Sequence, residues 1–172
     1  MHATSFRGGF LILASVACVA APDADAPDWT VRADGIGPLR VGMTLEEASR
    51  VLGEELVVAY ADFPSCDHVR PSSLPGGVAL MIVNDTIVRV EVNDSTLTTG
   101  AAARVGMTEA SLLEAYGARG SVTPHKYSGP EWHYVTIDAD SAHAIVFETD
   151  GVRVQRFRAG RQPEVAWVEG CA

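Results

Sequence analysis

The pattern of apolar and polar positions along the chain predicts two short amphipathic helices. Apolar side chains recur at three- and four-residue spacing in two segments. The first segment contains Leu45, Ala48, Val51 and Leu52, and the second contains Leu112, Leu113 and Tyr116. Each pattern ends at a glycine, so each predicts a helix of about nine residues with one apolar face.

The two helices are expected to begin in the same way, because the chain carries an internal repeat. Arg40-Val41-Gly42-Met43-Thr44 recurs as Arg104-Val105-Gly106-Met107-Thr108, and a glycine follows nine positions after each threonine, as Gly53 and Gly117. Threonine is a good N-cap, and glycine supplies the left-handed residue that ends many helices. Glu47 can complete a capping box in the first copy, whereas Ser111 holds that position in the second.

Extended segments follow each predicted helix and are typical of antiparallel hairpins. Residues 78–83 and 87–92 flank one group of turn residues, and residues 144–147 and 152–157 flank another. Residues 132–137 and 66–70 each suit one more strand. The chain therefore predicts an α+β fold of two tandem helix-plus-antiparallel-sheet repeats. We expect the repeats to join into one sheet with both helices on one face, since a small sheet needs a cover.

The start of the chain predicts export. Arg7 is the only Lys or Arg among residues 1–21, and an apolar run extends from Phe10 to Ala21, broken by Ser15. Because this run is shorter than the roughly 20 residues that span a bilayer, it favours a signal peptide, cleaved before Pro22 or after Ala20 or Ala17. The alternative is a lipid anchor, because Ser15-Val16-Ala17-Cys18 resembles a lipoprotein box in which Cys18 is acylated.

Behind the signal peptide the chain divides into three further parts. Residues 22–28 are acidic and rich in Pro and Ala, which indicates a solvated linker. Residues 29–97 form the first predicted repeat and residues 98–172 the second. The expected location of the mature protein is the periplasm or the extracellular medium, with membrane attachment only through Cys18.

The repeated motif resembles the signature of a known family. Leu39-Arg40-Val41-Gly42-Met43-Thr44 with Gly53, and its second copy, are similar to the SmpA/OmlA (BamE-like) bacterial envelope lipoproteins. Trp132-His133-Tyr134-Val135, a strand ending at Phe147, and Asp150-Gly151-Val152 resemble that family's order of strands and turn. The tandem arrangement is more similar to the β-lactamase inhibitor protein family. This resemblance implies a BLIP-like fold and a role in binding an exported protein, but it carries over no site residue.

Composition narrows the partners that the protein can have. The 172 residues are 47% hydrophobic, and 13 Lys and Arg stand against 22 Asp and Glu, giving a net charge of -9. Nucleic acids and anionic membrane surfaces repel such a chain. We expect a monomer that binds another exported or envelope protein.

Two cysteines remain once the first 21 residues are removed. An oxidising compartment favours a disulfide between Cys66 and Cys171, and the alternative is two free thiols. The chain-entropy model gives roughly 4 to 5 kcal/mol of stabilisation for a loop of about 100 residues.

Known metal and catalytic patterns are absent from the sequence. Cys66-Asp67-His68, His125, His133 and His143 have no zinc-type spacing, and there is no Gly-x-Ser-x-Gly nucleophile motif. We therefore predict no metal, no cofactor and no enzymatic activity.

The remaining candidate for function is the open face of the predicted sheet. Alternation along the strands places apolar residues such as Val135, Val90 and Val154 on the core side. The opposite side then carries an aromatic and charged set that suits a protein interface, namely Trp132, Tyr134, Arg89, Glu91, Arg153 and Gln155. The function predicted from sequence is a non-enzymatic binding module, either an inhibitor of an exported protein or an assembly factor. A structural envelope lipoprotein anchored through Cys18 is the alternative.

Overall fold

The computed structural model describes residues 28–59 and 66–171, besides Met1. The predicted signal peptide, the cleavage sites, Cys18 and nearly all of the acidic linker lie outside the described residues. None of the helices within 28–59 and 66–171 has the length and apolar character of a membrane span.

Strands dominate the described residues, of which 37% are in strands and 16% in helices. Two helices of eight residues are present, α1 (Leu45–Leu52) and α2 (Glu109–Tyr116). The strands are β1 (Val31–Arg32), β2 (Gly35–Ile36), β3 (Leu39–Arg40), β4 (Asp67–Val69), β5 (Val78–Val83), β6 (Thr86–Val92), β7 (Gly120–Pro124), β8 (His133–Asp138), β9 (His143–Thr149) and β10 (Val154–Arg161).

The predicted fold class, two helix-plus-sheet repeats, is wrong. The described strands form a three-stranded sheet, β1-β2-β3, and an antiparallel seven-stranded sheet with the order β4-β5-β6-β10-β9-β8-β7. Because β6 pairs with β10, with Val90 opposite Ala159, the long sheet runs without interruption through strands from both halves of the chain. Strands β1, β2 and β3 have two residues each, which is too short to produce a periodic pattern in the sequence.

The repeated motif folds the same way in both places. Gly42 and Gly106 have positive φ angles of 95° and 84°, and the amide of each donates 2.8 Å to a strand carbonyl, of Ile87 and Val154 respectively. A residue with a side chain is strained at such a φ, which explains why glycine stands at both positions. The methionine after each glycine accepts a hydrogen bond from the same strand residue. Ile87 N donates to Met43 O at 2.8 Å, and Val154 N donates to Met107 O at 2.9 Å. Each helix is therefore attached to the start of a strand before its first turn.

Both helices pack against the same apolar cluster of the sheet. Thr44 accepts a hydrogen bond from Glu47 N and Thr108 accepts one from Ser111 N, as predicted, and only α1 has the full capping box. Leu45 and Ala48 of α1 and Leu112 and Tyr116 of α2 belong to one large buried cluster. Tyr116 meets Phe147 with ring centroids 5.8 Å apart. We call this side of the seven-stranded sheet the helix face.

A ten-residue segment covers the other side of the sheet. Residues 162–171, here called the strap, leave the end of β10, form a single 3-10 turn at Glu164–Ala166, and end at Cys171. Cys171 forms a disulfide with Cys66, their Cα atoms 5.3 Å apart, which confirms the predicted pair. Val165 is fully buried and packs with Tyr134, Ala144 and Val146. We call the side beneath the strap the strap face.

Candidate functional site

The strap face carries an array of charged side chains along three neighbouring strands. Arg89 lies on β6, Arg158 on β10 and Glu148 on β9, and all three are buried. Register places them close together, because Arg158 stands opposite Glu91 and Arg156 stands opposite Glu148. Buried charges are stable only with partners, so each of these groups must be matched nearby.

Two buried arginines hold the strap through its backbone. Arg89 Nη1 donates to Glu164 O at 3.0 Å and to Trp167 O at 2.7 Å. Arg158 Nε donates to Val165 O at 2.7 Å. Three carbonyl groups that a sheet ladder does not satisfy thus accept charge-assisted hydrogen bonds, which are stronger than neutral ones. The two arginines define where the strap crosses the sheet.

Glu91 is the carboxylate partner of Arg89. Arg89 Nη2 donates to Glu91 Oε1, and His68 Nε2 lies 3.2 Å from the same oxygen. Burial alone would raise the pKa of Glu91, but the His68 hydrogen bond and the charge of Arg89 outweigh it and lower the pKa to about 2. Glu91 therefore stays ionised in the folded protein until strongly acidic pH.

Glu148 joins Arg156 and Arg158. Arg156 Nε donates to Glu148 Oε2 at 2.7 Å, Arg158 Nη1 donates to Glu148 Oε1, and His125 Nε2 lies 3.3 Å from Oε2. Burial would raise the pKa of Glu148, yet the hydrogen bond from Arg156 and the charges of both arginines lower it. Burial lowers the pKa of Arg158, and the nearby Glu148 offsets part of that shift. Glu148 thus bridges the exposed and the buried arginine.

Aromatic side chains extend this array toward the loop between β7 and β8. His125 stacks on Tyr134, with ring centroids 4.4 Å apart, and meets Trp132 edge-on at 5.9 Å. The guanidinium of Arg158 lies 5.6 Å from the Tyr134 ring centroid, within cation-π range. Four side chains therefore form a continuous series of ring contacts from the surface to the buried array, in the order Trp132, His125, Tyr134 and Arg158.

The same loop is connected to the strap. Lys126 Nζ lies 3.3 Å from Glu169 Oε1, so an ion pair joins loop and strap. Tyr127, next to Lys126, is 60% exposed, and Trp167 of the strap is 39% exposed. Together with the half-buried Trp132 they form what we call the aromatic surface, consisting of Tyr127, Trp132 and Trp167.

The structure separates the six residues proposed for the open face. Arg89 and Tyr134 are only 3% and 8% exposed, because the strap covers them, and Glu91 lies beside Arg89. Arg153 and Gln155 are exposed at the far end of the sheet, where Arg153 Nη1 donates to Gly106 O and Gln155 Nε2 to Asp150 Oδ2, each at 2.8 Å. A register shift between Val154 and Arg156 interrupts the alternation that had grouped these residues. Trp132 is half-buried at the edge of the array.

The histidines weighed as metal ligands each contact one carboxylate. His68 faces Glu91, His125 faces Glu148, His133 Nδ1 lies 2.9 Å from Glu109, and His143 Nδ1 lies 3.2 Å from Asp140. Across residues 28–59 and 66–171, no group of three or more His, Cys, Asp and Glu side chains is placed to hold a metal ion.

Sequence reasoning missed the strap and the residues that it buries. Residues 162–171 have neither helical nor strand periodicity, so nothing local indicates that they cross a sheet. The one available signal was the cysteine pair, because a bridge from Cys171 to the start of β4 requires the C-terminal segment to run across the sheet.

Comparison with family models, curated proteins and solved structures finds no match to this chain. The resemblance to the SmpA/OmlA lipoproteins and to the β-lactamase inhibitor protein stays a prediction.

Proposed function

We propose that this protein is an exported, non-enzymatic binding protein that contacts another exported or envelope protein through the aromatic surface. The observation that carries the proposal is the partial exposure of Tyr127, Trp132 and Trp167 on two segments that an ion pair joins. Tryptophan and tyrosine are enriched among the residues that dominate binding energies.

Preorganisation supports this role. Trp132 is restrained by the edge-on contact with His125, which itself stacks on Tyr134. The backbone beside the indole of Trp167 is fixed, because its carbonyl accepts a hydrogen bond from Arg89. Rings held in place before binding lose little conformational entropy when a partner arrives. An interface built on such rings gains affinity without rearrangement.

The charge of the chain defines the kind of partner. With a net charge of -9, the protein is repelled by other strongly acidic proteins at long range. Binding then depends on a local apolar and aromatic contact. The sharpest version of the proposal is inhibition of an exported hydrolase, since an inhibitor needs only to cover its target.

The test begins with capture of a partner from envelope extract by the mature chain, followed by titration of the purified pair. Trp132→Ala and Trp167→Ala should each weaken binding by about 2 kcal/mol, roughly thirtyfold, while leaving thermal unfolding nearly unchanged. Val152→Ala is the matched control, because Val152 is an exposed apolar residue at the far end of the sheet. Equal affinities for all three variants and the unmodified chain would reject the aromatic surface as the interface.

A second candidate function is a structural envelope lipoprotein, favoured by Ser15-Val16-Ala17-Cys18. The mass of the mature N-terminus distinguishes the two. A diacylglyceryl group on Cys18 supports anchoring, and an unmodified start near Pro22 supports a soluble binder.

A further inference from the structure

A cavity of about 370 Å³ lies between the end of the strap and the sheet. Val168, Glu169 and Gly170 of the strap form one wall, and strands β4, β5, β6, β9 and β10 form the others. Its volume is within the range of small-molecule sites. The aromatic surface lies next to it, because Trp167 precedes Val168 and Lys126 pairs with Glu169.

The walls of this cavity carry more positive than negative charge. Arg70, Arg89, Arg156 and Arg158 line it, against Glu91, Glu148 and Glu169. The third carboxylate, Glu169, already pairs with Lys126, which lies outside the lining. A local excess of positive charge is unexpected in a chain with a net charge of -9. It marks the cavity as the place where an anion is attracted rather than repelled.

Two of the four arginines retain the capacity to bind a ligand. Arg89 and Arg158 are used by the strap carbonyls and by the carboxylates of Glu91 and Glu148. Arg156 is 61% exposed and directs only part of its guanidinium, Nε and Nη2, at Glu148. Arg70 is exposed, and none of the ion pairs formed among residues 28–59 and 66–171 includes it. Arg70 and Arg156 are therefore the groups able to meet a ligand.

Apolar side chains complete the wall and define the rest of the ligand. Ala79 of β5 and Val168 of the strap supply these apolar side chains. Val78, Val92 and Phe157 also line the cavity, but their side chains belong to the helix-face cluster. A ligand that matches both the arginines and the apolar wall has a compact anionic group and a short apolar substituent. Arginine is suited to carboxylate and phosphate oxygens because its planar guanidinium offers paired N-H donors.

We propose that this cavity binds a small amphipathic oxyanion, with its carboxylate or phosphate group between Arg70 and Arg156 and its apolar part against Val168 and the sheet. The strap forms one wall of the site, and Arg156 shares the carboxylate of Glu148 with Arg158, which holds the strap. This site goes beyond the proposed function, because it requires no protein partner and can be tested without one.

Isothermal titration of the disulfide-bonded mature chain tests the proposal with four named probes. Octanoate and octyl phosphate carry the expected chemistry, octylamine reverses the charge, and inorganic phosphate lacks the apolar part. Binding of octanoate or octyl phosphate at one site, with no binding of octylamine, is the expected result. Preference for octanoate identifies a carboxylate ligand and preference for octyl phosphate a phosphate ligand. Phosphate alone should bind more weakly than octyl phosphate.

Three variants locate the site. Arg70→Gln and Arg156→Gln should each weaken binding of the preferred probe at least about tenfold, as expected for loss of a charge-assisted hydrogen bond. Arg50→Gln is the charge-matched control, since Arg50 is exposed on α1 and pairs only with Glu46 among the described residues. Its affinity should equal that of the unmodified chain.

The proposal is overturned if neither anionic probe binds at millimolar concentration, if octylamine binds as well as octanoate, or if the three variants bind alike. None of these outcomes bears on the aromatic surface, whose test uses a captured protein and the Trp132 and Trp167 variants.

Discussion

The two faces of the seven-stranded sheet are covered by different physical means. On the helix face, α1 and α2 pack against a large apolar cluster that includes Phe147 and Phe157. On the strap face, ten residues with a single 3-10 turn lie over buried arginines and glutamates, and a disulfide fixes their end. The helix face is held by many non-directional contacts, and the strap face by a few directional ones.

This difference means that the two faces should respond differently to change. Apolar packing distributes stability over many side chains, so each truncation costs what it removes from the core. A charged network fails where one partner is lost, because the other is left buried without compensation. The strap face is thus the more sensitive to pH and to reduction.

The largest expected effect comes from truncating the centre of the helix face. Phe147→Ala should reduce the free energy of unfolding by about 3 to 5 kcal/mol, since Phe147 is fully buried between Tyr116 and Phe157. Val165→Ala on the strap should cost about 2 kcal/mol because fewer methyl groups leave the core. Urea unfolding measures both. Equal losses would show that the strap packs as tightly as the helices.

Removal of the disulfide tests the strap as a separate unit. The Cys66→Ser/Cys171→Ser variant should lose about 3 kcal/mol, within the roughly 2 to 5 kcal/mol lost with native bridges and below the chain-entropy value, because the unfolded chain keeps some structure. Amide hydrogen exchange should accelerate in residues 162–171 and stay slow in β9, because the helix face does not depend on the bridge. Unchanged protection of the strap would mean that Arg89 and Arg158 hold it without the covalent link.

Acid should act first on the strap face. The folded pKa of Glu91 is about 2, below the ordinary 4.5, so ionised Glu91 stabilises the fold above pH 4.5 and this contribution is lost as pH falls toward 2. The loss should be about 2 kcal/mol, allowing for the partial exposure of the side chain. Unfolding curves from pH 6 to 2 should show a shallower decline for Glu91→Gln than for the unmodified chain. Glu46→Gln, an exposed change on α1, should keep the original slope.

The smallest effects are expected at the two helix N-caps. Thr44→Ala should cost about 1 kcal/mol and Thr108→Ala less, because only Thr44 takes part in a reciprocal capping box with Glu47. Thermal unfolding of both variants gives the order. A larger loss at Thr108 would show that its hydrogen bond with Ser111 matters more than the second bond of the box.

Local features of the fold were predictable wherever neighbouring residues decide them. Thr44 and Thr108 start helices because a hydroxyl near free amides caps them in any context. The turn at Asn84 and Asp85 has φ angles of 50° and 61°, which these residues tolerate better than most. Strands β5 and β6 consequently form at the predicted β-branched runs. Strand β7 (Gly120–Pro124) is largely exposed, so its sequence has no comparable apolar pattern.

The candidate site was less predictable because it depends on what covers each face. Alternation along β6 and β8 places Arg89 and Tyr134 opposite the core, but it does not say whether that side meets water. Arginine is usually exposed and tyrosine is intermediate in burial, so the open-face interpretation followed from average behaviour. Here Arg89 can be buried because backbone carbonyl groups of the strap accept its hydrogen bonds. Of the two aromatic residues in the predicted open-face set, Trp132 at the edge of the array keeps partial exposure, whereas Tyr134 is buried.

The sequence by itself determined the two capped helices, the hairpin of β5 and β6, the repeated glycine turns and the pairing of Cys66 with Cys171. Each depends on interactions within a few residues or, for the disulfide, on Cys66 and Cys171 being the two cysteines of residues 22–172. Tertiary structure alone decided the pairing of β6 with β10, the path of the strap and the cavity beneath its end. The β6–β10 pairing and the disulfide-bonded strap join segments far apart in the chain. Their free energies come from backbone ladders, apolar packing and buried charges whose partners become neighbours only in the folded protein.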